Sequence, residues 1–268
     1  MPASLALALG LAALAADGGP SPADLVTRGD AAFAGRSDPA RLAEAIDAYR
    51  RAAALVPGDP EAELRLARAE AFRALRSPGE AAEAWPLAGS AAERALRRIA
   101  PGWAAAVDAG SPVAAAAGVE APGAEPLYWI ALAAWSGAQA KGLAAVLAVK
   151  DVALASMERA AALDGSIDCG GPHRALGAWR AALPAAVGGG AERSRAHFEK
   201  ALALGPRCQL NRVREAETLC VLLQDRKGFE AALGAVLAPA DPDPRWGPEN
   251  DVARRMAREL LAREDRLF

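Results

Sequence analysis

Few side chains in this sequence combine the residue type and the spacing that catalysis or metal binding requires. The chain has two histidines, His173 and His197, and three cysteines, Cys169, Cys208 and Cys220. His173 follows Gly-Gly-Pro, but no nucleophile or orienting carboxylate stands at a defined spacing from it, so we expect it to cap a helix or lie on the surface. His197 is expected to be exposed. No cysteine pair has metal-ligand spacing, and we predict no catalytic residue, no metal site and no cofactor.

The cysteines allow two interpretations. In an exported protein, Cys169 can pair with Cys208, because each lies in a loop that flanks one predicted helical hairpin, and one thiol would be left over. Alternatively, all three act as small hydrophobic residues buried between helices.

The residues best suited to bind a ligand or a partner are aromatic. Tyr128, Trp129 and Trp135 lie in PLYWIALAAWSGAQAKG, an apolar stretch opened by Pro126. Such rings can line an apolar cleft while their NH and OH groups meet a ligand, or they can be core anchors between helices. Trp246 stands in a proline-rich loop, so it either packs on the last helices or is offered to a partner. These four aromatics are the predicted binding residues.

Helical hairpins would position these residues. In ERSRAHFEKALALGP, Ser194, Phe198, Ala201 and Pro206 are four, three and five residues apart. This spacing is typical of the second helix of a tetratricopeptide repeat, where one face carries small and aromatic residues and proline ends the helix. It recurs at Ala45, Tyr49, Ala52 and Pro57, and at Ala153, Met157, Ala160 and Gly165. Three matches at equal spacing indicate a helical-repeat protein.

Composition supports the same architecture. Of the 268 residues, 53% are hydrophobic and only 5% aromatic, so the apolar content is mostly Ala and Leu, which favour helices. No stretch shows sustained alternation of apolar and polar residues, which argues against a sheet. We therefore predict an all-α fold, a single domain over residues 23–268 in which tetratricopeptide-like hairpins stack into a curved array. The net charge of -2 and the absence of a basic block argue against nucleic-acid binding.

The sequence also predicts where helices are interrupted and which residue packs between them. Trp85-Pro86 is expected to mark a kink or an early turn, because proline removes an internal helix bond. The segment DGSIDCGGP is expected to be a loop, since it is rich in Gly and Asp. Trp179 occupies a repeat position that faces the neighbouring helix, so we expect it to lie in the core.

The N-terminus reads SLALALGLAALAADGG, an apolar run followed by small residues. Its length suits a signal-peptide core better than a membrane span, and Ala13-Leu14-Ala15 offers a small-x-small cleavage site. No Lys or Arg precedes the run, which also fits a buried first helix. We predict that residues 1–16 are a signal peptide or an apolar N-terminal segment. No cysteine follows the run closely, so no lipoprotein anchor is expected.

Three features, in this order, resemble the TatT family, the tetratricopeptide-like periplasmic component associated with some bacterial TRAP transporters. They are PLYW with a second Trp six residues on, the HFEKALALGP hairpin, and the C-terminal RxxARxLLAREDRLF. The likeness runs from about residue 23 to residue 268 and is strongest from Pro126 onward. The resemblance implies a periplasmic, all-helical protein that forms a homotrimer. It also implies a partner, the substrate-binding protein of a TRAP transporter, and a small organic or hydrophobic ligand.

Two functional hypotheses follow. The first is a non-enzymatic, exported protein of TRAP-type solute uptake that binds a ligand or a binding-protein partner through a concave, aromatic surface. The alternative is a general tetratricopeptide scaffold for protein-protein interaction. Peptide-gripping repeats present Asn, Lys and Arg in their groove, whereas the only asparagines here are Asn211 and Asn250. Their scarcity favours the first hypothesis.

Overall fold

The computed structural model describes residues 19–238, 243 and 245–268, and within those ranges it contains helices and no strand. Residues 1–16, the predicted signal peptide or apolar segment, lie outside the described residues. The helices are α1 Pro22–Ala34, α2 Pro39–Leu55, α3 Pro60–Arg76, α4 Ala81–Ile99, α5 Pro101–Asp108, α6 Pro112–Ala117, α7 Ala124–Gln139, α8 Leu143–Leu163, α9 Ile167–Ala182, α10 Ala191–Leu204, α11, α12 Arg226–Leu237 and α13 Gly247–Leu261. Helix α11 joins Gln209–Glu215, the π-helical Ala216–Cys220 and Val221–Leu223.

Consecutive helices pair into hairpins. The most extensive contacts join α1 to α2, α3 to α4, α7 to α8 and α9 to α10, and α4 also packs along α7. Short loops between the members of each pair let the two helices lie side by side and bury their apolar faces. The predicted all-α array of stacked hairpins is confirmed.

The repeat spacing marks positions where two helices touch. Tyr49, Phe198 and Met157, which take the aromatic position in the three predicted matches, are each 1% exposed or less. A Cβ added to Gly29 would lie 2.4 Å from the Tyr49 ring, and one added to Gly177 would lie 2.9 Å from the Phe198 ring. Glycine is therefore required at both positions, because the partner ring occupies the space of a side chain.

Helix-breaking residues act less strongly than the sequence suggests. Of the two outcomes predicted at Trp85-Pro86, a kink or an early turn, the turn is wrong, because Pro86 lies inside the continuous helix α4. Proline there costs a single hydrogen bond within the helix, and packing against α3 and α7 offsets that loss. The loop predicted in DGSIDCGGP is confirmed for Asp168, Cys169 and Gly170, whose φ values are 49°, 52° and 87°.

The two ends of the array meet. Arg36, in the turn between α1 and α2, donates hydrogen bonds to Glu249 at 3.0 and 2.7 Å and to the Arg245 carbonyl at 2.8 Å. Arg255 of α13 donates to the Arg76 carbonyl at the end of α3 at 2.8 Å. These contacts bring the last helix against the first hairpins, so the curved array surrounds a central hollow.

Among the described helices, none combines the length and the apolar character that a membrane crossing requires.

Candidate functional site

The hollow is a cavity of about 890 Å³ bounded by α1, α3, α4, α7, α9, α11 and the start of α13. Sites for small organic molecules fall in this size range. Aromatic residues dominate its apolar wall: Phe33, Phe72, Trp85, Tyr128, Trp129, Trp179 and Trp246.

Helix α7 supplies one continuous stripe of the wall. The stripe is Glu125, Trp129, Leu132, Ser136 and Gln139. Its members are four, three, four and three residues apart, which places them on one face of a helix. The Trp129 indole Nε1 donates to Glu125 Oε1 at 3.1 Å, so the ring is fixed in orientation.

Three of the four predicted binding aromatics line the cavity. They are Tyr128, Trp129 and Trp246. Tyr128 is fully buried and its hydroxyl donates to Asp168 at 2.8 Å. Trp246 is half-buried and forms the N-cap of α13.

Trp135 differs from the other three. It is fully buried and does not line the cavity. Six residues are about one and two-thirds helical turns, so Trp135 points to a different side of α7 from Trp129. It stacks on Trp179 with ring centroids 4.3 Å apart and planes at 12°, which corresponds to the core-anchor interpretation.

Trp179 reaches both the core and the cavity. Its repeat position predicted a core residue, and it is indeed buried, at 4% exposed. Trp179 also forms part of the cavity wall. The repeat pattern could not show this second contact, because it reports only the neighbouring helix within a hairpin.

A buried polar cluster adjoins Tyr128 in the cavity wall and was not predicted. Arg174 forms an ion pair with Asp168 and donates to Asn211 Oδ1 at 3.0 Å. Burial raises the pKa of Tyr128 well above its usual value, and the charge of Asp168 adds to the effect. Tyr128 therefore stays protonated and donates to Asp168 rather than acting as a base. The sequence signal for this cluster is weak, because its members come from three separate helices.

A disulfide holds this cluster in place. Cys169 and Cys208 are joined, with Cα atoms 6.2 Å apart, so the first of the two interpretations applies to them. Cys220 is a free buried thiol, and burial raises its pKa to about 11, so it is protonated at neutral pH. The bridge connects the left-handed segment at the start of α9 with the start of α11.

The arginines that line the cavity are neutralised by neighbouring carboxylates. Five arginines reach the wall, and each has an acidic partner. The pairs are Arg36 with Glu249 at 2.7 Å, Arg68 with Glu125 at 2.7 Å, Arg214 with Glu217 at 2.5 Å, Arg245 with Asp243 at 2.9 Å, and Arg174 with Asp168.

The two histidines meet away from the cavity, between α9 and α10. Their Nδ1 atoms are 3.1 Å apart. Both side chains are half-buried, so the expectation that His197 is exposed is wrong: α9 covers one side of its ring. Burial lowers the pKa of His197 to about 4, and the charges of His173 and Lys200 add to the effect. Among the described residues, no three His, Cys, Asp or Glu side chains converge as metal ligands.

Comparison with known proteins adds one finding. The family model described as TRAP transporter T-component matches residues 52–268. The matched region begins near the end of α2 and includes α3 to α13, which supply all of the aromatic cavity wall except Phe33. No curated protein matches the chain.

Proposed function

This chain belongs to the TRAP transporter T-component family, and we propose that it binds a small, largely apolar organic molecule in its central cavity and docks a substrate-binding protein. The TatT resemblance found in the sequence is confirmed by the family match. A role associated with TRAP transport follows from membership of the family. The ligand and the partner are the finer steps that we propose.

The observation that supports ligand binding most directly is the aromatic wall of the cavity. Seven aromatic rings from six segments converge on a space of about 890 Å³. Transfer of an apolar molecule from water to such a wall is favourable in proportion to the apolar area that it covers. Trp129 is the aromatic residue of the α7 stripe, so we place the ligand against this ring.

We infer that the role is binding rather than catalysis. The polar groups nearest the aromatic wall satisfy one another: Tyr128 donates to Asp168, and Asp168 accepts from Arg174. A general base must be free to take a proton from a bound substrate, and these groups are already engaged. No histidine, cysteine or lysine is among the described residues that line the cavity. Turnover of any substrate by the purified protein would contradict the inference.

We propose that the protein works in the periplasm of the cell. The Cys169–Cys208 disulfide supports this compartment, because structural disulfides form and persist in oxidising environments. Osmotic-shock fractionation, followed by thiol alkylation of the released protein, tests the proposal. We expect the protein in the shock fluid with one alkylated cysteine, whereas recovery in the cytosol with three reactive thiols would overturn it.

The proposed partner is the substrate-binding protein of a TRAP transporter, and the homotrimer implied by the resemblance stays a prediction. Purification of the protein from its native envelope after mild cross-linking tests both. We expect an extracytoplasmic solute-binding protein and a homotrimer among the cross-linked species. Recovery of cytoplasmic proteins alone would contradict the proposed partner.

The scaffold alternative has less support. Repeats that grip a peptide backbone present asparagine side chains that are free to bind it. Asn211 is fully buried and donates to the Cys169, Ala201 and Gly205 carbonyls at 2.9 to 3.1 Å. Asn250 accepts from the Gln209 backbone N–H at 2.8 Å. Both asparagines therefore stabilise the fold and are not available to a peptide.

A cavity-filling substitution tests the ligand directly. Ala178 of α9 lines the cavity, so Ala178→Trp would place an indole in the space that the ligand needs. We expect native mass spectrometry to detect one organic adduct on the wild-type protein and none on Ala178→Trp. Ala186→Trp is the matched control, because Ala186 is exposed and does not line the cavity. An adduct that persists in Ala178→Trp would show that the cavity is not the binding site.

A further inference from the structure

We propose that the cavity selects uncharged amphipathic molecules, with a hydroxyl or amide head and an apolar tail, over carboxylates and amines of the same size. This inference rests on the proposed function, in which the central cavity holds the ligand. It concerns the chemical class that the cavity accepts.

The first argument is that no positive charge in the wall is left for an anion. The two innermost arginines are in buried ion pairs: the Arg36 and Glu249 side chains are 8% and 9% exposed, and those of Arg174 and Asp168 are 10% and 18% exposed. The other three lining arginines lie nearer to solvent, and each is also within 3 Å of a carboxylate.

A carboxylate ligand would therefore gain little from these arginines. It must leave its hydration shell to reach the aromatic wall, which is costly for an ion. To recover that cost it would have to draw an arginine away from its partner, and the partner carboxylate would then be unpaired in the same cavity. One unpaired anion replaces another, so the exchange brings no net stabilisation.

A cationic ligand meets the same difficulty. Four of the lining carboxylates, Glu125, Asp168, Glu217 and Glu249, already pair with arginine. The fifth, Asp164, is exposed and accepts hydrogen bonds from the Ser166 backbone and hydroxyl at 2.9 and 2.6 Å. An amine could pair with Asp164 only at the solvent-facing rim, where water and salt screen the attraction.

Neutral hydrogen-bonding groups, in contrast, are available. Ser136, which is half-buried, and Gln139, which is exposed, continue the α7 stripe beyond Trp129 and Leu132 and line the cavity. Neither side chain forms a hydrogen bond to any part of the chain that the structure describes. A hydroxyl or amide head bound there would place its apolar tail along Leu132 and Trp129, on the same face of the helix.

Tryptophan fluorescence provides the test, because four of the six tryptophans line the cavity. The probes are decanol, decanoate and decylamine, titrated near pH 7 below their aggregation limits. We expect decanol to bind at least about tenfold more tightly than either ion. The same titration of Ala178→Trp should show no saturable binding, which assigns the wild-type signal to the cavity.

A charge variant tests the reason for the selectivity. Glu125→Gln keeps an acceptor for the Trp129 indole but leaves Arg68 without its carboxylate. We expect the ratio of decanoate affinity to decanol affinity to rise about fivefold, the size of an exposed ion pair. Glu93→Gln is the matched control, since Glu93 pairs with Arg97 outside the cavity and the ratio should not change.

The outcomes separate this inference from the function on which it rests. Decanoate or decylamine binding as tightly as decanol to the wild type would overturn the inference and leave the cavity as a ligand site. If Glu125→Gln leaves the ratio of decanoate affinity to decanol affinity unchanged, the pairing of arginines with carboxylates is not the cause of the selectivity. Failure of all three probes to bind would count against the proposed cavity site and would also contradict this inference, which depends on that site.

Discussion

At the scale of single residues, Asn211 connects the fold to the cavity wall. Its side-chain amide donates to three backbone carbonyls, and its carbonyl oxygen accepts from Arg174 at 3.0 Å. Buried polar groups that are fully paired hold a single arrangement, because any other leaves a donor or acceptor without a partner. Arg174, and through it Asp168 and Tyr128, is therefore fixed before any ligand arrives.

The histidine pair predicts sensitivity to acid. The pKa of His197 is lowered from its usual 6.5 to about 4 by burial and by the nearby His173, Lys200 and Arg180. Below pH 6.5 the unfolded chain takes up a proton that the folded chain does not bind, so stability is full above pH 6.5 and falls down to about pH 4. Between pH 6.5 and pH 4 the Tm of both proteins should fall. We expect the fall to be roughly a few degrees smaller for His197→Gln than for the wild type.

Melting curves recorded at closely spaced pH values check this prediction. The carboxylates of the protein titrate in both proteins, so the difference between the two Tm profiles isolates the histidine. If the profiles run parallel from neutral pH to pH 4, the His173–His197 contact does not carry the expected penalty.

At the scale of elements, the start of α9 depends on its neighbours. Asp168 and Cys169 have positive φ values, which cost free energy for residues with a side chain. The disulfide to Cys208 and the Asn211 hydrogen bond to the Cys169 carbonyl both hold this segment. Its conformation in turn places Asp168 against Tyr128 and the cavity.

The disulfide therefore predicts a redox-dependent stability. Cys169 and Cys208 are 39 residues apart, and closing a loop of that length stabilises the fold by roughly 3 to 4 kcal/mol in the chain-entropy model. We expect a reductant to lower the free energy of unfolding of the wild type by an amount of this order, as measured by urea denaturation. The Cys169→Ser/Cys208→Ser variant should be less stable from the outset and insensitive to reductant.

Cys220→Ser is the control for thiol chemistry, because Cys220 is outside the bridge. It should keep the full response to reductant. A wild-type protein whose unfolding curve is the same with and without reductant would contradict the prediction.

The sequence predicts a contact well when the two residues are close along the chain and poorly when they are far apart. Phe198 touches Gly177 within one hairpin, and helical spacing was enough to predict that Phe198 lies on the packing face of its helix. The bond between Arg36 and Glu249 spans 213 residues, and no local pattern reports it. The left-handed residues of α9 were predicted only as a loop, since Asp168 and Cys169 do not by themselves require that conformation. Trp135 was assigned to the binding residues because composition could not tell which side of α7 faces the hollow.

At the scale of the whole molecule, closure of the array depends on a few long-range contacts. The guanidinium of Arg36 lies 4.6 Å from the Phe33 ring centroid and 5.4 Å from that of Phe72, while it pairs with Glu249. The same residue thus contacts the first hairpin, the cavity wall and the last helix. Arg36 therefore joins the two ends of the array directly.

Removal of Arg36 should destabilise the fold in a pH-dependent way. Arg36→Met leaves Glu249 buried without its partner, which we expect to cost roughly 3 to 5 kcal/mol near pH 7. Burial already raises the pKa of Glu249 above its usual 4.5, and Arg36 opposes that rise. In the variant the pKa rises further, so the part of the penalty that comes from the Glu249 charge is absent below pH 4.5 and grows as pH increases up to the folded-state pKa.

The double variant Arg36→Met/Glu249→Leu separates charge from packing. It removes the buried carboxylate, so it should recover much of the lost stability near neutral pH and lose the pH dependence. Urea denaturation at pH 7 and pH 5 measures both effects. A double variant as unstable as Arg36→Met at both pH values would show that the loss arises from packing alone.

The stacked indoles of Trp135 and Trp179 have an optical consequence. Two stacked indoles with centroids 4.3 Å apart couple their excited states, and the coupling gives circular-dichroism bands of opposite signs when the transition dipoles of the two rings are skewed. Of these two tryptophans, only Trp179 lines the cavity, so a guest that tilts its ring would change the coupling while Trp135 stays fixed in the core. We therefore expect the circular dichroism of this pair to report, without a label, whether the cavity is occupied.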